Sequence, residues 1–209
     1  MPDQHFVVSA DKSIVVLPFA NLSPAPENEY LSDGITDALT GDLGRVGRIE
    51  VASRASAMTY KGTDKDPHTI ARELKVRFVL EGSVRKSGTS LRITAQLVDG
   101  RADAKLWSDQ YAGVSDQVLE LTERVAREVI HALDVSLTTD EDRALSARPI
   151  ADPMAYDCYL RALHELARPH PAAIERVETL VKRGLEIAID NPLLMDCLDR
   201  VKAERRRLA

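Results

Sequence analysis

Apolar residues change their spacing several times along this chain, and each change marks an element. Residues 13–20 are β-branched and apolar without alternation, the pattern of a strand covered on both faces. After the breaks at Pro24 and Pro26, Leu31, Ile35, Ala38, Leu39, Leu43 and Val46 recur at helical spacing, giving a helix with one face for a sheet. Glu27 and Glu29 fall in its first turn, where acids suit the helix dipole. Gly34 inside it costs about 1 kcal/mol relative to alanine, which close packing on a strand would explain. The glycines of residues 41–47 end this helix and do not begin one, whereas a phosphate cradle needs them before a helix N-terminus. Residues 48–52 predict a second strand and residues 53–60 a short helix or turn. Asp66-Pro67 opens a further helix, with Ile70, Ala71 and Leu74 turned inward.

Alternation begins at Phe78. With Ser87-Gly88 at a hairpin tip, Val84 faces Leu91, Leu80 faces Ala95 and Phe78 faces Leu97. One face is then apolar apart from Gly82, while Glu81, Arg85, Arg92, Thr94 and Gln96 share the other, with Val79 the exception. A one-residue slip would invert that separation, so the register is strongly specified. Residues 104–111 predict a third strand of this group, with Trp107 and Tyr111 on one face and Leu106 on the other. Ser115 caps a long helix with a stripe of Val118, Leu121, Val125, Val129, Ala132 and Leu133. Glu120/Arg124 and Glu123/Arg127 form i,i+4 pairs on it, and His131 points to solvent. The order β-α-β-α-β-β-β-α predicts an α/β fold of the α+β type, a mixed sheet with helices packed on it.

Residues 138–153 are charged and contain Pro149 and Pro153, so a domain boundary is expected there. The assignment is an α/β domain over 13–138 and a helical segment over 153–208. Three helical stripes follow the boundary: Ala155, Tyr159, Ala162, Leu163 and Leu166; Val177, Leu180, Val181, Gly184, Leu185 and Ala188; and, after Asn191-Pro192, Leu194, Cys197, Leu198 and Val201. Tyr159, Leu163, Leu194 and Leu198 are the candidate interface of this segment. Cys158 and Cys197 lie among apolar residues, where reduced core thiols are expected; spacing does not decide whether they pair.

Charge and motif content narrow the function. A net charge of −5 argues against a nucleic-acid partner. The run Arg205-Arg206-Arg207 sits at a helix end, where cations suit the dipole. Two cysteines and five scattered histidines form no zinc framework. Neither HExxH, GxSxG nor GxxxxGK[ST] occurs, so no catalytic, cofactor or metal site is expected. With no stretch of 18 apolar residues and no export signal, the chain is expected to be cytoplasmic, or periplasmic if excised from a membrane-anchored parent. Residues 1–12 read as a polar, frayed leader.

Several strings recur in the order of one known family. They are Leu17-Pro18-Phe19 with Asn21 and Ser23, Glu29-Tyr30 with Ser32-Asp33-Gly34, Ser53-Arg54 with Tyr60-Lys61-Gly62, Glu81-Gly82-Ser83-Val84-Arg85, Ile93-Thr94-Ala95-Gln96-Leu97 and Leu106-Trp107. Over residues 13–137 the chain resembles the TolB N-terminal-like module of bacterial multidomain regulators, whose parents are often named adenylate cyclase or transcriptional regulator. The resemblance implies an anticodon-binding-domain-like fold and no reaction of its own. Tyr111-Ala112-Gly113 lacks the acid usual after this tyrosine. Residues 155–192 are similar to one tetratricopeptide (TPR-like) helix pair, with Ile189 in place of the helix-ending proline.

Asn21, Ser23, Glu29 and Asp33 cluster at the end of the first strand and the start of the following helix, where ligands of open α/β sheets bind. Turn formation by Asn21 and Ser23, with Glu29 and Asp33 serving the helix dipole, accounts for the same residues. The expected function is a non-catalytic regulatory or scaffolding module that binds a protein partner or small ligand and self-associates as a same-chain dimer. The alternative is an accessory part of a nucleotide cyclase or an uncharacterised hydrolase.

Overall fold

The computed structural model describes residues 10–167 and 170–208. His5 and most of the expected leader lie outside the described residues. The chain divides into two compact units, one of Met1–Pro26 with Ile35–Ala147 and one of Glu27–Gly34 with Arg148–Ala209.

The first unit is a mixed sheet with packed helices. Its strands are β1 (Ser13–Val16), β2 (Ala20–Asn21), β3 (Glu50–Val51), β4 (Phe78–Ser87), β5 (Ser90–Asp99) and β6 (Ala104–Val114). They lie in the order β3-β1-β4-β5-β6, with β2 also paired to β4. β1 runs parallel to β3 and β4, and β4-β5-β6 is an antiparallel meander. All four residues of β1 are buried, as an unbroken apolar run requires.

The single strand expected over residues 13–20 is two. Leu17 N–H donates to Leu80 O at 2.8 Å, Pro18 has no N–H to continue the ladder, and pairing resumes at Ala20 with Ser83. The hairpin also differs in detail. Gly88, with φ 59°, and Thr89 form its turn, so Val84 faces Ile93, Leu80 faces Leu97 and Phe78 faces Asp99. Each pairing is displaced by two residues from the expected one. An even displacement keeps every side chain on its predicted face, and Leu80, Val84, Leu91, Ile93, Ala95 and Leu97 are all buried.

Helices α2 (Arg54–Met58) and α3 (Pro67–Leu74) pack Ala57, Ile70 and Ala71 with Val15, Leu17 and Val79. Ser53 caps the first of them, and Asp66 caps the second by accepting from Thr69 N–H at 2.9 Å, with Pro67 in the first turn. Helix α4 (Val118–Ala132) buries Val118, Leu121, Val125, Ala126 and Val129. Ser115 is not its cap. It begins a 3-10 turn of Ser115–Gln117, and its N–H donates to Thr89 O. The expected Glu123/Arg127 pair forms at 2.9 Å, whereas the Arg124 guanidinium lies over the Tyr111 ring.

Helix α1 (Glu29–Gly44) contributes residues to both units. Within the first unit Ile35, Leu39 and Leu43 are buried, and Thr36 Oγ1 accepts from Phe19 N–H at 3.0 Å. Burial pushes the Asp42 carboxyl up from its usual 3.8 to about 6; Glu123 adds to the shift and Arg45, 3.0 Å away, opposes it. A carboxyl that holds its proton more tightly when folded stabilises the fold below its unfolded pKa and loses that contribution as pH rises through the folded value. Asp42→Asn is therefore expected to raise stability by about 1–3 kcal/mol at pH 7 and to leave it unchanged near pH 3, below the unfolded pKa. Urea unfolding at the two pH values measures this.

Residues 138–153, expected to be a charged break, contain helix α5 (Thr139–Leu145). Thr138 and Glu141 form a capping box, and Leu145 is buried. The Thr-x-x-Glu spacing is the sequence signal that marks it.

The second unit holds α6 (Pro153–Leu166), α7 (Pro171–Ile187) and α8 (Pro192–Leu208), together with the start of α1. Each helix opens with a polar cap followed by proline: Asp152-Pro153, His170-Pro171 and Asn191-Pro192. Ala155, Tyr156, Cys158, Leu160, Ala162, Ile174, Val177, Val181, Leu194, Cys197 and Val201 form its core. Gly34 packs against Leu160 of α6, whose Cδ2 lies 2.7 Å from where a Cβ on Gly34 would sit, and not against a strand. Leu194 is fully buried against Gly184, so it is a core residue and not an exposed interface position. Tyr159, Leu163 and Leu198 are half-buried. Both cysteines are free and buried, and burial pushes the Cys197 thiol up to about 11.

Candidate binding cleft of the helical unit

The four residues singled out in the sequence fall into two pairs. Asn21 and Ser23 belong to the first unit, Glu29 and Asp33 to the second. Asn21 Oδ1 accepts from Ser23 N–H at 3.0 Å, and Ser23 Oγ accepts from Lys86 N–H at 3.0 Å. This pair folds its loop and ties it to β4, the turn chemistry of these residue types. Glu29 starts α1, and Asp33 Oδ2 lies 2.9 Å from His164 Nδ1.

In the second unit, α1, α6 and α7 enclose an open cleft of about 750 Å³. Tyr30, Arg161, His164, Glu165 and Arg176 are among its walls, with Ala172 and Leu180 as apolar lining. Most of the charge here is already matched. The Arg161 guanidinium stacks 4.1 Å over the Tyr30 ring, donates to Tyr30 Oη at 2.8 Å and pairs with Asp157 at 2.6 Å. Tyr30 Oη donates in turn to Asp157 Oδ1, and burial with that carboxylate raises the phenol above its ordinary range. Arg176 meets Glu165 at 2.6 Å.

Two lining carboxylates are different. Glu27 and Glu175 are exposed, and neither meets a cation among the described residues. The cleft therefore presents fixed, neutralised arginines beside two unmatched negative charges. Such a surface suits a cationic group flanked by apolar contacts. Sequence reading missed Tyr30, Arg161, Arg176, Glu27 and Glu175 as a set, because they come from three helices and the 3-10 turn of Pro26–Asn28 and share no local spacing. Only Glu29-Tyr30 stood in a recognised string.

Among the described residues, no group of three or more His, Cys, Asp or Glu side chains is placed to hold a metal ion. No helix among them is long and apolar enough to cross a membrane.

Residues 10–126 match the family described as HilA/YgeH-like transcriptional regulator, second domain. The Rhizobium meliloti (strain 1021) protein named "Putative adenylate cyclase 3" is 37% identical over 178 residues. That alignment takes in 85% of this chain, which spans 30% of the relative's length. Among solved structures, TolB from Acinetobacter baumannii is similar at a TM-score of 0.45 and 16% identity, over 58% of this chain and 28% of its own. Lipoprotein GNA1162 from Neisseria meningitidis is similar at 0.42 and 23% identity, over 61% of this chain and 99% of its own.

Proposed function

Because the chain belongs to the HilA/YgeH-like transcriptional regulator second-domain family, we propose that it is a non-catalytic regulatory module that docks a basic segment of a protein partner. Its parts are an α/β domain over residues 13–138 and a tetratricopeptide-like helical segment over residues 153–208, working in the cytoplasm. The reading is carried by Glu27 and Glu175, two exposed carboxylates that meet no cation among the described residues, on a cleft whose arginines are already paired. A lysine or arginine of the partner would complete them, with its aliphatic stem on Ala172 and Leu180. Asp33 contributes by holding His164 in the cleft wall. Glu29 lies on the same helix, whereas Asn21 and Ser23 act on the loop before it. Self-association through Tyr159, Leu163 and Leu198 belongs to the same proposal.

A photoreactive residue at Thr179, an exposed cleft position, tests the docking in the native bacterium. The expected result is a cross-link to a Lys/Arg-rich segment that disappears with Glu27→Lys/Glu175→Lys. Cross-linking unaffected by that double charge reversal refutes the docking mode.

The printed name of the Rhizobium relative favours a second reading, an accessory part of a nucleotide cyclase. Incubation with ATP or GTP and Mg²⁺ separates the two. Our reading predicts no cyclic nucleotide, and turnover lost in Asp33→Ala with the fold intact would support the alternative.

A further inference from the structure

The turn end of the β4–β5 hairpin, far in sequence from the helical cleft, carries an unbalanced charge pair. The register puts Arg85 directly opposite Arg92. Directly opposed side chains have Cβ atoms about 4.5–5.5 Å apart, and like charges there oppose strand pairing. Elsewhere in this unit Arg45, Arg48, Arg54, Arg77 and Arg127 each meet a carboxylate. Arg85 and Arg92 meet none among the described residues. The acid on the same face of β4 is Glu81, four residues back and so about 13 Å along the strand. Its carboxylate is already engaged by the Gln96 amide. Thr94 lies opposite Gln110, and Ala112 opposite Arg92, so β6 brings no charge to this face beside the arginines.

The pair lines a cavity of about 430 Å³ together with Ser87, Ser90, Ala112 and Gly113. We propose that Arg85 and Arg92 hold the phosphate group of a small ligand in this cavity. Each planar guanidinium can donate two parallel N–H bonds to an oxyanion, and two adjacent cations match a dianion. Ser87 and Ser90, opposed across the turn, bring hydroxyl donors to the same space. The small residue Ala112, opposite Arg92, leaves room for the body of the ligand. The volume is that of a small-molecule site. The chain's net charge of −5 disfavours the long-range attraction that a nucleic acid or an anionic lipid surface exploits.

The test is thermal melting and calorimetry of the 209-residue chain with inorganic phosphate, at constant ionic strength set with NaCl. Expected is a saturable rise in Tm that NaCl alone does not give, lost in Arg85→Gln/Arg92→Gln and weakened several-fold in Arg92→Lys. In low-salt buffer free of phosphate, the double glutamine variant should melt at or above the unaltered protein, since the repulsion is gone. Adenosine monophosphate should compete with inorganic phosphate. An equal phosphate response in the unaltered and double-variant proteins overturns the proposal, as does no response in either. A double variant that melts lower without phosphate also overturns it, because the arginines are then structural. Arginine-dependent binding of duplex DNA or phosphatidylglycerol vesicles without a response to phosphate or adenosine monophosphate overturns the small-ligand assignment.

Discussion

Gly82→Ala is expected to cost the α/β unit about 3 kcal/mol or more, and Gly82→Val to prevent its folding. A Cβ at this position would lie 2.5 Å from Phe19 Cε2 and 2.8 Å from Phe19 Cζ, and would collide with the Thr94 carbonyl oxygen. Neither neighbour can yield cheaply. The carbonyl belongs to strand β5, paired on both sides, and Phe19 is 1% exposed with its ring fixed in the core. Gly41 supplies the control. It lies within α1, and a Cβ added there would meet nothing within 4 Å, so Gly41→Ala should stabilise by about 1 kcal/mol through helix propensity alone. Urea unfolding followed by far-UV circular dichroism measures both. A Gly82→Ala protein as stable as the parent would mean that the hairpin packs differently.

Leu194→Ala is expected to destabilise the helical unit by about 3 kcal/mol without altering association. The side chain is completely buried, with its methyl carbons 3.0 and 3.1 Å from the position of a Gly184 Cβ. Removing it leaves a cavity that Gly184, having no side chain, cannot fill. Leu198→Ala, at a half-buried position, should cost much less. Denaturation curves with light scattering on the same samples distinguish the roles. Loss of an oligomer at unchanged stability would return Leu194 to an interface.

The sheet is readable because burial imposes a period on sequence. The apolar run of β1 and the alternation of β4 and β5 name their faces correctly even where the partners are displaced, since a two-residue shift preserves parity. Local chemistry is also readable where it is self-contained, as in the Asp66-Pro67 cap. The break at Pro18 and the helix after Thr138 are equally local, with signals, a missing N–H and a Thr-x-x-Glu box, that hydrophobic periodicity alone passes over. Charge pairing is readable within a helix, as for Glu123 and Arg127, but not between elements distant in the chain. Arg161 meets Tyr30 across 131 positions, and Asp33 meets His164 across another 131. For the same reason the sequence does not separate the acids that are matched from Glu27 and Glu175, on which the docking proposal depends. Nor does it signal that Arg85 and Arg92 stand opposed, because that follows from a register two residues away from the expected one.

Binding of the cross-linked partner segment, made as a synthetic peptide, to the purified chain is the most direct test of the docking cleft. Calorimetry should give a measurable affinity that falls at least tenfold, about 1.4 kcal/mol, in Glu27→Lys/Glu175→Lys and weakens with rising salt. An affinity that is the same in the unaltered and charge-reversed proteins would contradict the account.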